Sequence, residues 1–304
     1  MPSQLHLVLL AAAGLALSAC TPGNKEAKRL TTACGAGDQP ACNKLAVKLQ
    51  KGEYILRDDK HAASLFQATC TSGIGDGCAS LGVMLQRGRG VKKDSVRAAQ
   101  LFHQGCERKG FDACARLGIL YRTGSIVPRD DVRAISLFHT ACDGANDIGC
   151  AQLGTLYATG DGVTQDFTRA AELLKKSCVE KGAVVGCLGL GKLHAAGTGV
   201  LQSDTLASVM YLRACRANEG DPEGCFQEGL AFEHGKGVRQ DYSDAAEFFR
   251  EACDERQGEA CAHLADLYDK GAGVRQNTTR ATDTRKRACL YGYAPVCPKP
   301  KKAA

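Results

Sequence analysis

The chemistry of this chain is concentrated in its sulfur. Of seventeen cysteines, sixteen fall into eight close pairs: Cys34 with Cys42, Cys70 with Cys78, Cys106 with Cys114, Cys142 with Cys150, Cys178 with Cys187, Cys215 with Cys225, Cys253 with Cys261, and Cys289 with Cys297. From the second cysteine of one pair to the first of the next is always 28 residues, while the separation inside a pair is 8, once 9 and once 10. Paired thiols can hold a metal, cycle between dithiol and disulfide, or stay oxidised. Tetrahedral metal sites and redox-active pairs both use short Cys-x-x-Cys spacings, the first so that two sulfurs reach one ion and the second to stabilise a thiolate. No such spacing occurs here. Structural disulfides remain, and these persist in the periplasm or outside the cell rather than in the cytosol.

Cys20 alone stands outside this grid, and the residues before it agree with export. Leu5 to Leu17 is apolar, of the length of a signal-peptide core and too short to span a bilayer comfortably, and it ends in Leu17-Ser18-Ala19-Cys20. This box resembles the lipobox of bacterial lipoproteins, in which the bond before the cysteine is cut and the new N-terminal thiol carries lipid. The resemblance implies that residues 1–19 are a cleaved signal, that Cys20 is lipidated, and that residues 20–23 are a short linker. Thr21, in place of an Asp, implies the outer membrane. The start of the segment relies on His6 and the amino terminus for charge and has no Lys or Arg.

Little else in the chain has the form of a reactive site. The seven histidines are scattered, and His103 and His139 repeat one position 36 residues apart, so neither a metal nor another cofactor is expected. The Gly-x-Gly-Val strings lack the glycine spacing and the lysine of a phosphate loop. Net charge is +6, and the basic run Pro298-Lys299-Pro300-Lys301-Lys302 belongs to a loose tail, residues 298–304. Without interleaved aromatics it gives no reason to expect a nucleic-acid partner.

The cysteines are positioned by a repeat of 36 residues, a period typical of stacked helical hairpins that cannot bury their apolar faces alone. With 44% hydrophobic and 24% charged residues the chain has the composition of a folded protein, and the repeat overrides a length that by itself suggests two domains. After Cys114 the chain reads Ala115-Arg116-Leu117-Gly118-Ile119-Leu120-Tyr121, and after Cys150 it reads Ala151-Gln152-Leu153-Gly154-Thr155-Leu156-Tyr157. Cys, Leu, Gly and Tyr thus stand at i, i+3, i+4 and i+7, one face of a helix. The small position is filled in turn by Ala46, Gly82, Gly118, Gly154, Gly191, Gly229 and Ala265. Because glycine inside a helix costs about 1 kcal/mol relative to alanine, its recurrence predicts that another helix backbone comes close there. A glycine suited to a left-handed C-cap ends each first helix, and an Asp or another capping residue starts the second. Apolar residues such as Ala134, Ile135, Leu137 and Phe138 continue the pattern, giving two antiparallel helices per unit. The pattern decays at Arg29 and at Thr284-Arg285, as polar end caps require. The longer Cys pairs confine insertions to one short loop. Both ends of a hairpin lie together, so the spacing alone permits Cys42 to meet either Cys34 or Cys70.

The string Cys-Ala-x-Leu-Gly-x-Leu-Tyr-x-x-Gly-x-Gly-Val-x-x-Asp, followed by Arg-Ala-Ala-x-Leu-Phe-x-x-x-Cys, resembles the Sel-one-like repeat (SLR), a relative of the tetratricopeptide repeat. The cysteine pairs resemble its exported branch, the Helicobacter cysteine-rich proteins. The likeness covers residues 24–297. It implies an all-α fold, an α/α solenoid of about seven disulfide-linked antiparallel helix pairs wound as a right-handed superhelix. It also implies that the cysteines of each pair bond to each other.

That family is often described as penicillin-binding or weakly β-lactamase-like, so hydrolysis of β-lactams is the alternative function that the resemblance implies. The Ser-x-x-Lys, Ser-Asp-Asn and Lys-Thr-Gly elements of serine β-lactamases are all missing from this chain. The function expected instead is an exported, lipid-anchored scaffold in the cell envelope, binding a protein, a peptide or a peptidoglycan fragment on the concave face lined by first helices. The first-helix positions that vary between units are the candidates: Arg116, Ile119, Gln152, Thr155, Lys192, Gln227 and His263, together with Lys44, Val47, Ser80, Val83, Leu230 and Asp266. Glu228 interrupts a column otherwise made of Leu45, Leu81, Leu117, Leu153, Leu190 and Leu264, which reads as a partly buried functional carboxylate or, in preference, as local repacking beside the lengthened Cys215–Cys225 loop.

Overall fold

The computed structural model describes residues 22–180, 182–217 and 220–297. The segment expected to be a signal, Cys20 and the basic run at residues 298–304 lie outside these residues. The described residues form fifteen α-helices and no strand. In chain order these are α1 (Pro22–Gly35), α2 (Gln39–Lys51), α3 (Asp59–Thr71), α4 (Gly75–Arg87), α5 (Ser95–Glu107), α6 (Phe111–Thr123), α7 (Asp131–Asp143), α8 (Asp147–Thr159), α9 (Phe167–Lys175), α10 (Val184–Ala196), α11 (Asp204–Arg216), α12 (Pro222–His234), α13 (Tyr242–Asp254), α14 (Gly258–Lys270) and α15 (Thr278–Leu290). Even-numbered helices are the first and odd-numbered the second of seven hairpins, with α1 as a lone second helix ahead of them. The chain divides into two compact units, one carrying α1–α7 and the other, from Ala145 onward, α8–α15.

Each hairpin is cut out by the same local chemistry. Seven first helices end at Gly52, Gly88, Gly124, Gly160, Gly197, Gly235 and Gly271, all left-handed, and the N–H of each returns to a carbonyl of the last helical turn. Every second helix of a hairpin is capped by a side-chain oxygen that accepts a backbone N–H, from Asp58, Asp94, Asp130, Asp166, Ser203, Asp241 or Asn277.

The glycines of the small position have a different neighbour from the one their recurrence suggests. A Cβ on Gly82 would lie 2.5 Å from the Phe102 ring, on Gly118 2.7 Å from Phe138, on Gly191 2.6 Å from Tyr211 and on Gly229 2.6 Å from Phe249. The nearest obstacle at these four is thus a ring of the second helix in the same hairpin, and at Gly154 it is the Leu174 side chain at 2.8 Å, not a helix backbone. Phe66, Phe102, Phe138 and Phe249 are fully buried and form the centre of four of the seven hairpins.

Insertions are likewise not confined to a loop. The extra residue between Cys178 and Cys187 is taken up inside the helix, where α9 runs on into a π-helical turn, Lys176–Glu180, before the connection to α10. The i→i+5 bonding of this turn accommodates one added residue while the cysteine stays in its bridge at the joint. At the C-terminal end, Thr284 is buried and donates its hydroxyl to Arg280 O at 2.8 Å, while Arg285 faces out to Asp266 and Asp269. The end cap is therefore polar at Arg285 but not at Thr284.

Cys34–Cys42, Cys70–Cys78, Cys106–Cys114, Cys178–Cys187, Cys215–Cys225, Cys253–Cys261 and Cys289–Cys297 are bonded, with Cα separations of 4.6–5.1 Å. Each ties the last turn of a second helix to the chain that opens the next repeat, so Cys42 meets Cys34 and not Cys70. Cys142 and Cys150 are disulfide-bonded too.

Candidate binding face

The candidate positions sit two and five residues after the second cysteine of a pair, on the helix face beside the buried Leu and Gly columns. In the first unit Arg116 and Ile119 of α6 are half-buried, and the Arg116 guanidinium donates to Asp112 one turn earlier at 2.7 Å. In the second unit Gln152 and Thr155 of α8 are half-buried, Thr155 giving its hydroxyl to Ala151 O at 2.9 Å.

Further along the second unit the candidates are brought into contact with one another's helices. Lys192 of α10 lies 3.6 Å from Glu223 of α12, Gln227 donates to the same carboxylate at 2.9 Å, and Gln257, capping α14, donates to it at 3.1 Å. His263 of α14 meets Glu233 of α12 at 2.9 Å and packs its ring between Phe226 and Phe249, with centroids 5.6 and 5.1 Å away. The hydrogen bond that His263 donates to the Glu233 carboxylate raises the His263 pKa against the effect of burial. Burial works against ionised Glu233, but the bond and charge of His263, with His234 and Lys270, outweigh it and hold the carboxyl low. Glu223 and Glu233 were not singled out in the sequence. Their signal is the run of polar partners one repeat apart, which only the stacking of α10, α12 and α14 makes visible.

Glu228 is a buried carboxyl in the leucine column. It is 2% exposed, accepts a hydrogen bond from Ser208 of α11 at 2.8 Å, and its second oxygen has no partner among the described residues. Burial pushes its pKa up to about 7, the Ser208 bond acting in the opposite sense. Ser208 went unnoticed in sequence because a serine in a helix is ordinary until its partner is known.

Cys215, Cys225 and Glu251 place three potential ligand atoms within 4.8 Å of one another. The sulfurs are joined in a disulfide and offer no thiolate, and Glu251 pairs with Arg216 at 2.8 Å, so the group does not fit a metal.

Two kinds of comparison place this architecture. The Sel1 repeat family model matches seven stretches, residues 39–74, 75–109, 111–146, 148–178, 184–219, 222–256 and 258–282, and the chain belongs to the Sel1 repeat family. Among solved structures it is similar to a protective antigen of uropathogenic Escherichia coli strains with an SLR fold, at 28% identity and a TM-score of 0.58, over 86% of this chain and 56% of that one. It therefore spans just over half the length of that relative. It is also similar to a Sel1 repeat protein of Oxalobacter formigenes, at 22% identity and a TM-score of 0.63, over 89% of this chain and 77% of the other. No significant match was found among curated proteins. Sel1 repeats generally mediate protein–protein interaction, and so many disulfides mark an extracellular or periplasmic protein. Among the described residues no helix is long and apolar enough to cross a membrane.

Proposed function

We propose that the chain is an exported, lipid-anchored scaffold that holds an extended protein or peptide against the face formed by its first helices. The observation that carries this reading is the row of half-buried or exposed side chains that change from unit to unit between invariantly buried columns. Lys192, Gln227 and His263 extend it along three successive hairpins of the second unit. Their exposed pairs, Lys192 with Glu223 above all, are worth little in water and can be exchanged for pairs with a ligand at small cost. A peptidoglycan fragment bearing peptide amines and carboxylates is a second ligand of suitable chemistry.

Alanine at Arg116, Gln152 and Lys192 together is expected to weaken partner binding by about tenfold or more, a loss of roughly 1.4 kcal/mol. His103→Ala, on the exposed side of a second helix, should leave it within twofold. Titration of both variants against a recovered partner by calorimetry decides between the faces, and the opposite ranking would assign binding to the second helices. Anchoring is tested separately. Cys20→Ser should move the protein from the membrane fraction to the soluble fraction and abolish labelling by a fatty-acid analogue, whereas retention with unchanged processing would rule out the lipid anchor.

A further inference from the structure

In three hairpins a tyrosine near the end of the first helix lies under an arginine from the first turn of the second. Arg133 stands 5.6 Å from the Tyr121 ring centroid, Arg169 4.8 Å from that of Tyr157 and Arg280 5.8 Å from that of Tyr268. Each tyrosine precedes its arginine by 12 residues. The hairpin of α4 and α5 keeps the arginine, as Arg97, but has Leu85 in place of the ring, and no other hairpin has the arginine without the tyrosine.

A cleft opens beside this missing ring. It runs between the second helices α3 and α5 and has a volume of about 800 Å³, within the range of small-ligand sites. Ala63, Leu81 and Leu85, all buried, form its floor. Lys60 of α3, Lys92 and Lys93 of the connection to α5, and Arg97 form its rim. The one carboxylate that lines it, Asp94, is engaged as the cap of α5, accepting the Arg97 backbone N–H at 2.9 Å. Among the described residues no carboxylate forms an ion pair with Lys60, Lys92, Lys93 or Arg97, and the Arg97 guanidinium donates instead to the neutral Gln67 of α3 at 3.0 Å.

Charges of one sign around an apolar floor concentrate the field in a cleft and draw in an anion. A small inorganic anion would leave the floor in water, and an uncharged hydrocarbon would leave the cations without a counter-charge. A ring laid on Leu81 and Leu85 beneath Arg97 reproduces the contact that tyrosine makes in the other hairpins. We propose that this cleft binds a small aromatic carboxylate, with the ring under Arg97 on the leucine floor and the carboxylate among Lys60, Lys92 and Lys93. None of the varying first-helix positions lines the cleft, so the site stands apart from the face that holds a protein or peptide.

The test uses the disulfide-intact protein and two aromatic carboxylates: 3-phenylpropionate as a free acid, and Nα-acetyl-phenylalanine, whose ring and carboxylate are those of a peptide C-terminus. The controls are 3-phenylpropanol, with the ring but no charge, acetate, with the charge but no ring, and hexanoate, with the charge on an aliphatic chain. Saturation-transfer NMR and calorimetry should show at least one aromatic carboxylate bound, about tenfold or more tighter than 3-phenylpropanol and acetate and about threefold or more tighter than hexanoate. Binding should weaken as salt is raised, because the rim is exposed. Leu85→Tyr installs the residue that three other hairpins carry and puts its ring in the ligand's place, so affinity should fall about tenfold or more with the helical spectrum unchanged. Arg97→Gln, an exposed substitution that leaves the core alone, should lower affinity about fivefold or more. Binding of 3-phenylpropionate alone would identify free aromatic acids as the source, and binding of the acetylated amino acid alone would identify peptide C-termini. Parental affinity in Leu85→Tyr or in Arg97→Gln, equal binding of any control, or no aromatic carboxylate bound by the parent protein would each overturn the proposal.

Discussion

Full reduction of the disulfides is expected to unfold the array, whereas removal of one is expected to loosen a single joint. Each bridge closes a loop of nine to eleven residues, and the chain-entropy model gives about 2.5 kcal/mol for such a loop. Eight of them amount to an upper bound of about 20 kcal/mol before strain and non-additivity, more than the roughly 5–15 kcal/mol by which domains are stable. Replacing Cys106 and Cys114 together with alanine removes one bridge at the joint of α5 and α6. Because each repeat contacts only its neighbours, faster amide exchange should be confined to those two helices and the ones packed on them. Hydrogen exchange read by mass spectrometry distinguishes this from collapse of the whole chain. Peptide mapping without reduction gives the pairing itself, and a Cys42–Cys70 peptide would contradict the local bridges.

Glu228→Leu is expected to stabilise the second unit at neutral and alkaline pH and to remove part of its pH dependence. The carboxyl is raised from its ordinary 4.5 to about 7 by burial, so the native state holds the proton more tightly than the unfolded chain. Its contribution is complete below 4.5, declines as the pH rises through the interval, and is lost above about 7. A shift of this size corresponds to roughly 3 kcal/mol. Urea unfolding at pH 4.5 and pH 8 should show the parent losing stability between the two values and the variant losing much less. Some dependence will survive, because His263, held charged by Glu233, also gives up its stabilisation as the pH rises through its own raised pKa. A variant less stable than the parent at pH 8 would show that the carboxylate is satisfied in solution.

What could be read in the sequence was whatever depends on local repetition. The period, the caps at residues such as Asp94 and Asn277, the left-handed glycines and the paired cysteines all act within a few residues of themselves, and each recurs often enough to be seen. Contacts across the stack were less legible. The glycine at position 118 showed that something comes close, but only packing shows that it is the Phe138 ring. The added residue near Cys178 was visible as a longer spacing, yet its absorption as a π turn depends on the cysteine being held by its bridge. Lys192, Gln227 and His263 were identified as positions that vary between units, while Glu223 and Glu233, which bind Lys192 and His263 from the neighbouring hairpin, have no local signature. The Ser208–Glu228 pair was half legible, since the glutamate breaks a column of leucines and the serine breaks a column that includes isoleucine and threonine.

The most direct test of the binding role is site-specific photo-cross-linking in the intact cell envelope. A photoreactive amino acid is placed singly at Gln152, Lys192 or His263 on first helices and at His103, His139 or Arg250 on second helices. The first-helix positions should give discrete adducts with a common partner, and the second-helix positions should give none with it. Adducts of that partner from His103, His139 or Arg250 but not from Gln152, Lys192 or His263 would contradict the assignment and place the binding surface on the second helices.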